Sequence, residues 1–202
     1  MKSIRLILIL SIGIQASAFA VFAQNAIVSF DLSQLTNNVP SDTVTASDGT
    51  TELTVSARND DGSARNISVT SGLRTFFSTG TAKSVIFNFN TDVILEGYRI
   101  ASSSKTYEGD ERFILNLSGT NYDENFPVDN RNLNGQSRTF TNKLTIPAGT
   151  NLEIITHNPD QGGESMYWDR LTVTVVPEPE TYALILAALA LTYTALRRRR
   201  IR

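Results

Sequence analysis

The sequence predicts an all-β protein with a single antiparallel β-sandwich over residues 24–176. Composition is the first reason: Thr, Ser and Asn fill 52 of these 153 positions, whereas Ala fills seven. Short polar side chains compete for backbone hydrogen bonds and Thr is stiff at χ1, so this composition disfavours helices. The second reason is a recurring alternation of apolar and polar residues, and the third is a series of turn signals between the alternating runs.

The alternating runs place apolar side chains on one face and Thr, Asn or Ser on the other, as half-buried antiparallel strands do. We expect nine or ten short strands, a number typical of a sandwich or barrel. The apolar positions of the runs are Leu53, Val55 and Ala57; Ile67 and Val69; Val85, Phe87 and Phe89; Phe113, Leu115 and Leu117; Leu144 and Ile146; Leu152 and Ile154; Leu171, Val173 and Val175.

Asp-Gly and Asn-Gly pairs separate several of the runs. They occur at Asp48-Gly49, Asp61-Gly62 and Asn134-Gly135, and they suit hairpin turns whose two central residues need positive φ. Residues 118–137 show no alternation and are predicted to form one long loop. Loops of that length in compact domains are often functional.

Charge and residue content exclude several kinds of function. Residues 24–176 contain 11 basic and 18 acidic side chains, a net charge of −7, which argues against nucleic acid as a partner. The absence of cysteine excludes disulfides, thiolate metal sites and cysteine nucleophiles. The single histidine, His157, is interpreted as a loop residue rather than a base, because no partner motif accompanies it.

Residues 1–23 are predicted to be a secretory signal peptide that signal peptidase cleaves after Ala23. Lys2 and Arg5 give a positive start, and a nine-residue apolar run follows over residues 6–14. That run is too short to span a bilayer, and small residues follow it, as they do at a cleavage site. A buried amphipathic N-terminal helix is the alternative interpretation.

Residues 177–202 combine three unlike features. Pro177, Glu178 and Pro179 come first, then an uncharged run over residues 182–196, and then a cluster of arginines, Arg197, Arg198, Arg199 and Arg200. The uncharged run predicts a short transmembrane helix, since arginine stems can reach the interface and tyrosines favour the rims. The arginines would stay on the cytoplasmic side. An amphipathic core helix with a solvated basic tail is the alternative.

This order resembles the PEP-CTERM sorting signal of exported proteins in Gram-negative bacteria. The resemblance covers about 26 of 202 residues. It implies that an exosortase recognises Pro177, Glu178 and Pro179, that Arg197 to Arg200 act as a membrane stop signal, and that the tail is removed. The protein would pass through an inner-membrane intermediate to the cell surface or an exopolysaccharide matrix. Glu180 departs from the family pattern, which commonly has a small residue there.

The segment 166–175 resembles the final strand of jelly-roll modules in carbohydrate-binding and galactose-binding-like groups, and alternation places Asp169, Leu171, Val173 and Val175 on one face. Exposed aromatic rings can stack on sugars. Trp168, Tyr167 and Tyr122 are therefore candidate ligand-binding residues, with burial of Trp168 in the core as the alternative.

No metal site and no cofactor are predicted, although calcium stays open because three pairs of acidic residues supply oxygen ligands. The pairs are Asp60 with Asp61, Asp110 with Glu111, and Asp123 with Glu124. No catalytic residue is assigned. The sequence therefore predicts a non-enzymatic structural or polysaccharide-associating module at the cell surface or in the matrix. The alternatives are a secreted carbohydrate-active hydrolase or lyase on a jelly-roll scaffold, and an unprocessed membrane protein anchored by its C-terminal helix.

Overall fold

A computed structural model describes residues 25–59, 61–77, 84–103, 112–125, 134–157, 164–177, 186–194 and 196. The strands of these residues are β1 (Ala26–Asp31), β2 (Ser41–Thr45), β3 (Glu52–Arg58), β4 (Ala64–Arg65), β5 (Leu73–Phe77), β6 (Ser84–Phe89), β7 (Val93–Ser103), β8 (Arg112–Leu117), β9 (Thr120–Asn125), β10 (Ser137–Thr139), β11 (Thr145–Ile146), β12 (Asn151–His157) and β13 (Glu164–Val175). They form two antiparallel sheets, which confirms the all-β prediction.

The chain divides into two units. One is the compact β unit, Ile27–Val175, and the other comprises the terminal segments, Met1–Ala26 and Val176–Arg202. Within the terminal unit, the described residues 186–194 and 196 are helical. No helix in the part of the chain that the structure describes is long and apolar enough to cross a membrane.

The first sheet has the order β1-β13-β7-β10, with β5 also paired to β13 and β11 also paired to β7. The long strand β13 therefore lies in the middle, between β7 on one side and β1 and β5 on the other. The second sheet has the order β2-β3-β6-β12-β8-β9, and β4 pairs with β3. Every described strand pairing in the two sheets is antiparallel.

The hydrophobic core is built from the inner faces of both sheets. Strands such as β3 contribute alternate residues, because successive side chains of a strand point to opposite faces. The largest fully buried side chains are Trp168, Phe30, Phe87, Phe89, Phe113, Leu32, Leu53, Ile67, Leu73, Leu95 and Ile100. Members of both sheets belong to one contiguous cluster, so the two layers pack face to face as a sandwich.

The predicted long loop over 118–137 is wrong in its first part, because β9 lies there. Ser118 and Gly119 form a two-residue turn that joins β8 to β9, with φ of 52° and 86°. Both central residues have positive φ, as a tight hairpin requires. His157 is the last residue of β12 rather than a loop residue.

Ile67 and Val69 are buried but do not belong to a strand. The Ile67 amide donates to the Val39 carbonyl, and the Val69 amide donates to the Asn37 side chain. These two residues therefore contribute to the core from an irregular segment, whose backbone hydrogen bonds go to another loop instead of a sheet ladder.

Candidate functional site

The outer face of the first sheet carries a row of polar residues across three adjacent strands. Tyr167 of β13 lies opposite Arg74 of β5 on one side and Ser102 of β7 on the other. All three side chains are half-buried. Their neighbours Leu73 and Trp168 are fully buried, so alternation places the row on the face away from the core.

Arg74 and Tyr167 contact each other directly. The Arg74 Cζ atom lies 5.7 Å from the centroid of the Tyr167 ring, within the range of a cation–π interaction. At the other side of the tyrosine, the hydroxyl groups of Ser102 and Ser71 are hydrogen-bonded at 3.0 Å. The row thus presents a guanidinium, a phenol and two aliphatic hydroxyls close together.

Arg65 lies on β4, which pairs with β3 of the second sheet. The segment between β4 and β5 turns back on itself: Val69 bridges to Leu73, and the Arg74 amide donates to the Ser68 carbonyl at 2.8 Å. The pKa of the Arg65 guanidinium is below its ordinary value. The larger cause is burial, and the smaller is the positive charge of Arg74.

A β-bulge next to the row changes the predicted orientation of Asp169. The register between β13 and β7 shifts from Trp168↔Ile100 to Arg170↔Arg99, so Asp169 is the extra residue on its strand. Its carboxylate accepts from Arg99 Nη2 at 2.6 Å and from Arg99 Nε at 3.0 Å. The expectation that Asp169 shares a face with Leu171 is wrong, because the bulge directs Asp169 outward while Leu171 is fully buried.

A second ion pair lies on the same outer face. Lys143 Nζ donates to Glu96 Oε2 at 2.6 Å, and the Thr174 hydroxyl donates to Glu96 Oε1 at 2.8 Å. The hydrogen bond from Lys143, followed by that from Thr174, lowers the pKa of the Glu96 carboxyl. The acidic side chains Glu96 and Asp169 are thus each paired with a cation.

Trp168 is in the core, the alternative that the sequence left open. Its side chain has no exposed surface, and the ring of Tyr98 stacks on it with centroids 4.3 Å apart. A sugar cannot reach a ring in this position, so the prediction that Trp168 binds a ligand is wrong. The adjacent residue Tyr167 points the other way and remains on the surface.

Tyr122 does not join Tyr167. It lies on β9, in the second sheet, opposite Leu115, and its partly buried ring packs against the core. The three candidate aromatic residues therefore lie in three places: Trp168 in the core, Tyr167 on the outer face of the first sheet and Tyr122 on the edge strand of the second.

The acidic pairs have structural partners where the structure describes them. Glu124 is buried, and its carboxylate accepts from the backbone amides of Thr141 at 2.8 Å and Asn142 at 2.5 Å. Asp61 accepts from the Ser63 amide at 2.9 Å. Within the described ranges no group of three or more carboxylate or imidazole side chains is placed to hold a metal ion. Asp60, Asp110 and Glu111 lie outside the described residues.

The sorting and processing residues are mostly beyond the described ranges. Pro177 is described, as a non-helical and half-buried residue two positions after the end of β13. Ala23, Glu178, Pro179 and Arg197 to Arg200 lie outside the described residues.

Comparison of the chain with protein-family models, with curated proteins and with solved structures found no match.

Sequence reasoning missed Arg65, Arg74, Ser71 and Ser102. The one available signal for Arg74 is its place directly after the apolar Leu73 in a strand, which puts it on the outer face. The pairing of β5, β13 and β7 joins segments far apart in the chain, and the alternation within each segment gives no information about which strands become neighbours.

Proposed function

We propose that the protein is exported and sorted to the cell surface or exopolysaccharide matrix, where its β unit acts as a non-enzymatic structural or polysaccharide-associating module. The observation that carries this proposal is the order of Pro177-Glu178-Pro179, an uncharged segment and an arginine cluster. Each part has a physical role: the prolines stop the preceding strand, the apolar segment enters the bilayer, and the arginines hold one end at the interface.

The described part of the helix supports the role of the tail as a transmembrane segment over about 182–196. Leu186, Leu189, Leu191 and Tyr193 are exposed, with Leu191 at 71%. Positions 186, 189 and 193 share one helical face and 191 lies on another. Apolar residues on more than one exposed side are costly in water and favourable in lipid.

We also propose that the β unit is a jelly roll, and the strand order supports this. Strands β5-β13-β7-β10 are neighbours in one sheet, and β6-β12-β8-β9 are neighbours in the other. Eight strands in two sheets, with repeated crossing from one sheet to the other, are the pattern of that architecture. The strands β1, β2 and β3 then extend it at the edges.

The outer row supports association with polysaccharide over a purely structural role. Tyr167, Ser71 and Ser102 supply hydroxyl groups, and Arg74 supplies donors, on a surface of the sheet rather than in a closed cavity. Long polymers are bound by such open surfaces through hydrogen bonds with sugar hydroxyls, and arginine strengthens the contact when a sugar carries an acid.

Intact-mass measurement of the protein recovered from its host, with and without an active exosortase, tests the sorting proposal. We expect the recovered protein to lack residues 1–23 and the segment after Pro179 when the enzyme is active, and to retain that segment when it is absent. Glu178→Ala should block removal of the tail, whereas Glu180→Ser, a matched change two residues away, should not. Retention of the tail in every strain would contradict sorting and favour a permanently anchored protein.

The non-enzymatic part of the proposal needs a separate measurement. The purified protein is incubated with the host exopolysaccharide, and new reducing ends and unsaturated ends are measured over time. We expect neither to rise above the level in a protein-free control. A steady increase would favour the hydrolase or lyase alternative.

A further inference from the structure

We propose that Arg138 and Tyr98 bind the carboxylate group of a ligand at the edge of the sandwich where β9 and β10 are the last strands of their sheets. Free organic acids carry this group, and so do the sugar acids of a polysaccharide. The second source rests on the proposed association with polysaccharide, whereas the site itself does not.

Strand pairing places Arg138 and Tyr98 side by side. Arg138 of β10 lies directly opposite Tyr98 of β7, and side chains in directly opposite positions share a face of the sheet. Tyr98 belongs to the core and is 8% exposed. Arg138 is half-buried between two exposed neighbours, Ser137 and Thr139. The Arg138 side chain is therefore on the inner face of the first sheet, beside Tyr98.

The second sheet faces this pair with Phe113 and Glu124, which lie opposite each other on β8 and β9. The rings of Tyr98 and Phe113 meet edge-on at 6.0 Å. Glu124 is buried, and its carboxylate accepts from the amides of Thr141 and Asn142 at 2.8 and 2.5 Å. The negative charge of Glu124 is therefore met by backbone donors that follow β10 in the chain.

Arg138 lacks the compensation that Glu124 has. Its Nη2 atom donates to the neutral Gln136 side chain at 2.7 Å, whereas its Nε atom is buried and has no hydrogen-bond partner. No ion pair of Arg138 is present among the described residues. A buried donor that lacks a partner is unfavourable, and an acceptor on a ligand removes this cost.

The Tyr98 hydroxyl is a second donor at this edge. No hydrogen bond of this hydroxyl is present within the part of the chain that the structure describes. Burial raises the pKa of the phenol, while the charge of Arg138 opposes the rise and that of Glu124 adds to it. The phenol therefore keeps its proton at neutral pH, with both charged groups near enough to act on it. Stacking of its ring on Trp168 at 4.3 Å holds the hydroxyl in place before a ligand arrives.

These two donors select a carboxylate over other groups. One carboxylate oxygen accepts from the guanidinium and the other from the phenol, and hydrogen bonds between charged groups are the stronger kind. Its single negative charge balances the single positive charge of Arg138. A dianion such as phosphate is repelled more strongly by the buried Glu124, and a neutral sugar hydroxyl leaves the charge of Arg138 unbalanced.

Isothermal titration calorimetry of the full chain in detergent, at pH 7 and constant ionic strength, tests the site with sodium galacturonate and with galactose. These two sugars differ in the carboxylate, and we expect galactose to bind about tenfold more weakly or worse. Arg138→Gln should weaken the binding of galacturonate by about tenfold or more, because it removes a charged hydrogen-bond donor. Arg58→Gln, which removes an exposed arginine of β3, should leave it unchanged.

Tyr98→Phe is the second variant, since it removes the hydroxyl and keeps the ring that packs in the core. We expect it to weaken the binding of galacturonate by about threefold or more, the loss of one hydrogen bond. Circular dichroism and urea unfolding check that each variant is folded. If Arg138→Gln does not fold, the comparison of Tyr98→Phe with Arg58→Gln decides. A purely structural role of Arg138 would change stability without changing the preference for galacturonate over galactose.

Sodium acetate and sodium polygalacturonate identify the source of the carboxylate. Acetate that binds at least as strongly as polygalacturonate per carboxylate would assign the site to free acids, and stronger binding of polygalacturonate would assign it to a polysaccharide. Equal binding of galacturonate and galactose, equal losses in Arg138→Gln and Arg58→Gln, or no binding of any carboxylate would each overturn the site. Binding of the host exopolysaccharide that persists in Arg138→Gln would leave the proposed association standing without this site.

Discussion

Trp168 lies within a cluster of aromatic rings between the two sheets. Tyr98 stacks on it at 4.3 Å, and Phe113 meets it edge-on at 5.0 Å. Phe140 and Phe87 complete the group at 6.2 and 6.4 Å. Burial raises the pKa of the Tyr98 phenol far above its ordinary range, as expected for a hydroxyl surrounded by apolar rings. The cluster therefore joins rings from both sheets, Tyr98 and Trp168 from the first and Phe87 and Phe113 from the second.

We predict that Trp168→Ala lowers the free energy of unfolding by about 3–5 kcal/mol, because it leaves a cavity in the middle of the cluster. Trp168→Phe should cost less, since it keeps one ring and removes an indole N–H that has no hydrogen-bond partner among the described residues. Urea unfolding followed by circular dichroism measures both. A loss below about 1 kcal/mol for the alanine variant would contradict the packing.

Asp42 illustrates how one half-buried carboxylate makes stability depend on pH. It accepts from the Thr36 amide at 2.6 Å and from the Thr43 amide at 2.8 Å. Hydrogen bonds lower the pKa of Asp42 in the folded state. In order of decreasing effect they come from the Thr36 amide, the Thr36 side chain and the Thr43 amide. A depressed carboxyl pKa stabilises the fold above the unfolded-state pKa, and the contribution is lost as pH falls through the folded-state value.

We predict that Asp42→Asn lowers the free energy of unfolding at pH 7 by no more than about 1 kcal/mol, because the half-buried carboxylate is still partly screened by solvent. The difference between the variant and the wild type should shrink below about pH 4, where the carboxyl begins to take up its proton. Urea unfolding at several pH values under constant ionic strength gives this difference. A difference that is the same at pH 7 and pH 2.5 would mean that ionisation of Asp42 is not involved.

At the scale of elements, the β8–β9 hairpin depends on its two-residue turn. Ser118 adopts a φ of 52° and Gly119 a φ of 86°, and the strands pair from Leu117↔Thr120 to Arg112↔Asn125. A left-handed conformation is costly for serine, whereas asparagine tolerates it and glycine adopts it freely. The turn is thus built on one favourable and one unfavourable residue.

We predict that Ser118→Asn raises the free energy of unfolding by a few tenths of a kcal/mol to about 1 kcal/mol, since Asn-Gly is the preferred pair for this turn. Gly119→Ala should lower it by about 1 kcal/mol or more, because alanine at this φ is strained. Nothing lies within 4 Å of a Cβ added at Gly119, so the effect isolates backbone strain. Equal stabilities for the two variants would show that the turn does not limit the hairpin.

The same hairpin shows what the sequence can and cannot predict. The run Phe113, Leu115 and Leu117 identifies β8, because alternate burial leaves a pattern along one segment. Its partner β9 reads Thr-Asn-Tyr-Asp-Glu-Asn, an edge strand with almost no apolar face, so periodicity gives no signal there. Strands of two or three residues, such as β4 and β11, are too short to show any period.

The candidate site was only partly predictable for a related reason. Alternation requires Trp168 and Tyr167 to point to opposite faces, so only one of the two can lie on the surface. The alternating pattern alone does not identify which residue that is. The bulge at Asp169 depends on the register with Arg99, and register between distant strands is not encoded in local spacing. Arg74 reaches Tyr167 through such a pairing, across 93 residues of chain.

At the scale of the whole molecule, the last strand in the chain is also a central one. β13 pairs with β7 and β5 and neighbours β1, and it contributes the buried side chains of Met166, Trp168, Leu171 and Val173. The first sheet therefore cannot be completed until the end of the β unit is available. Under the export that we propose, this order would delay folding until translocation of the β unit is nearly finished.

We predict that a chain ending at residue 163 does not fold, because β1 and β5 lose the partner strand and the core loses Trp168. Urea titration followed by circular dichroism should show no cooperative transition for this chain. A chain ending at Pro177 is the matched control, and it should unfold cooperatively because the compact unit ends at Val175. Its refolding should take milliseconds to seconds, since most strand pairs join distant segments. A cooperative transition in the shorter chain would mean that the remaining strands form a stable core without β13.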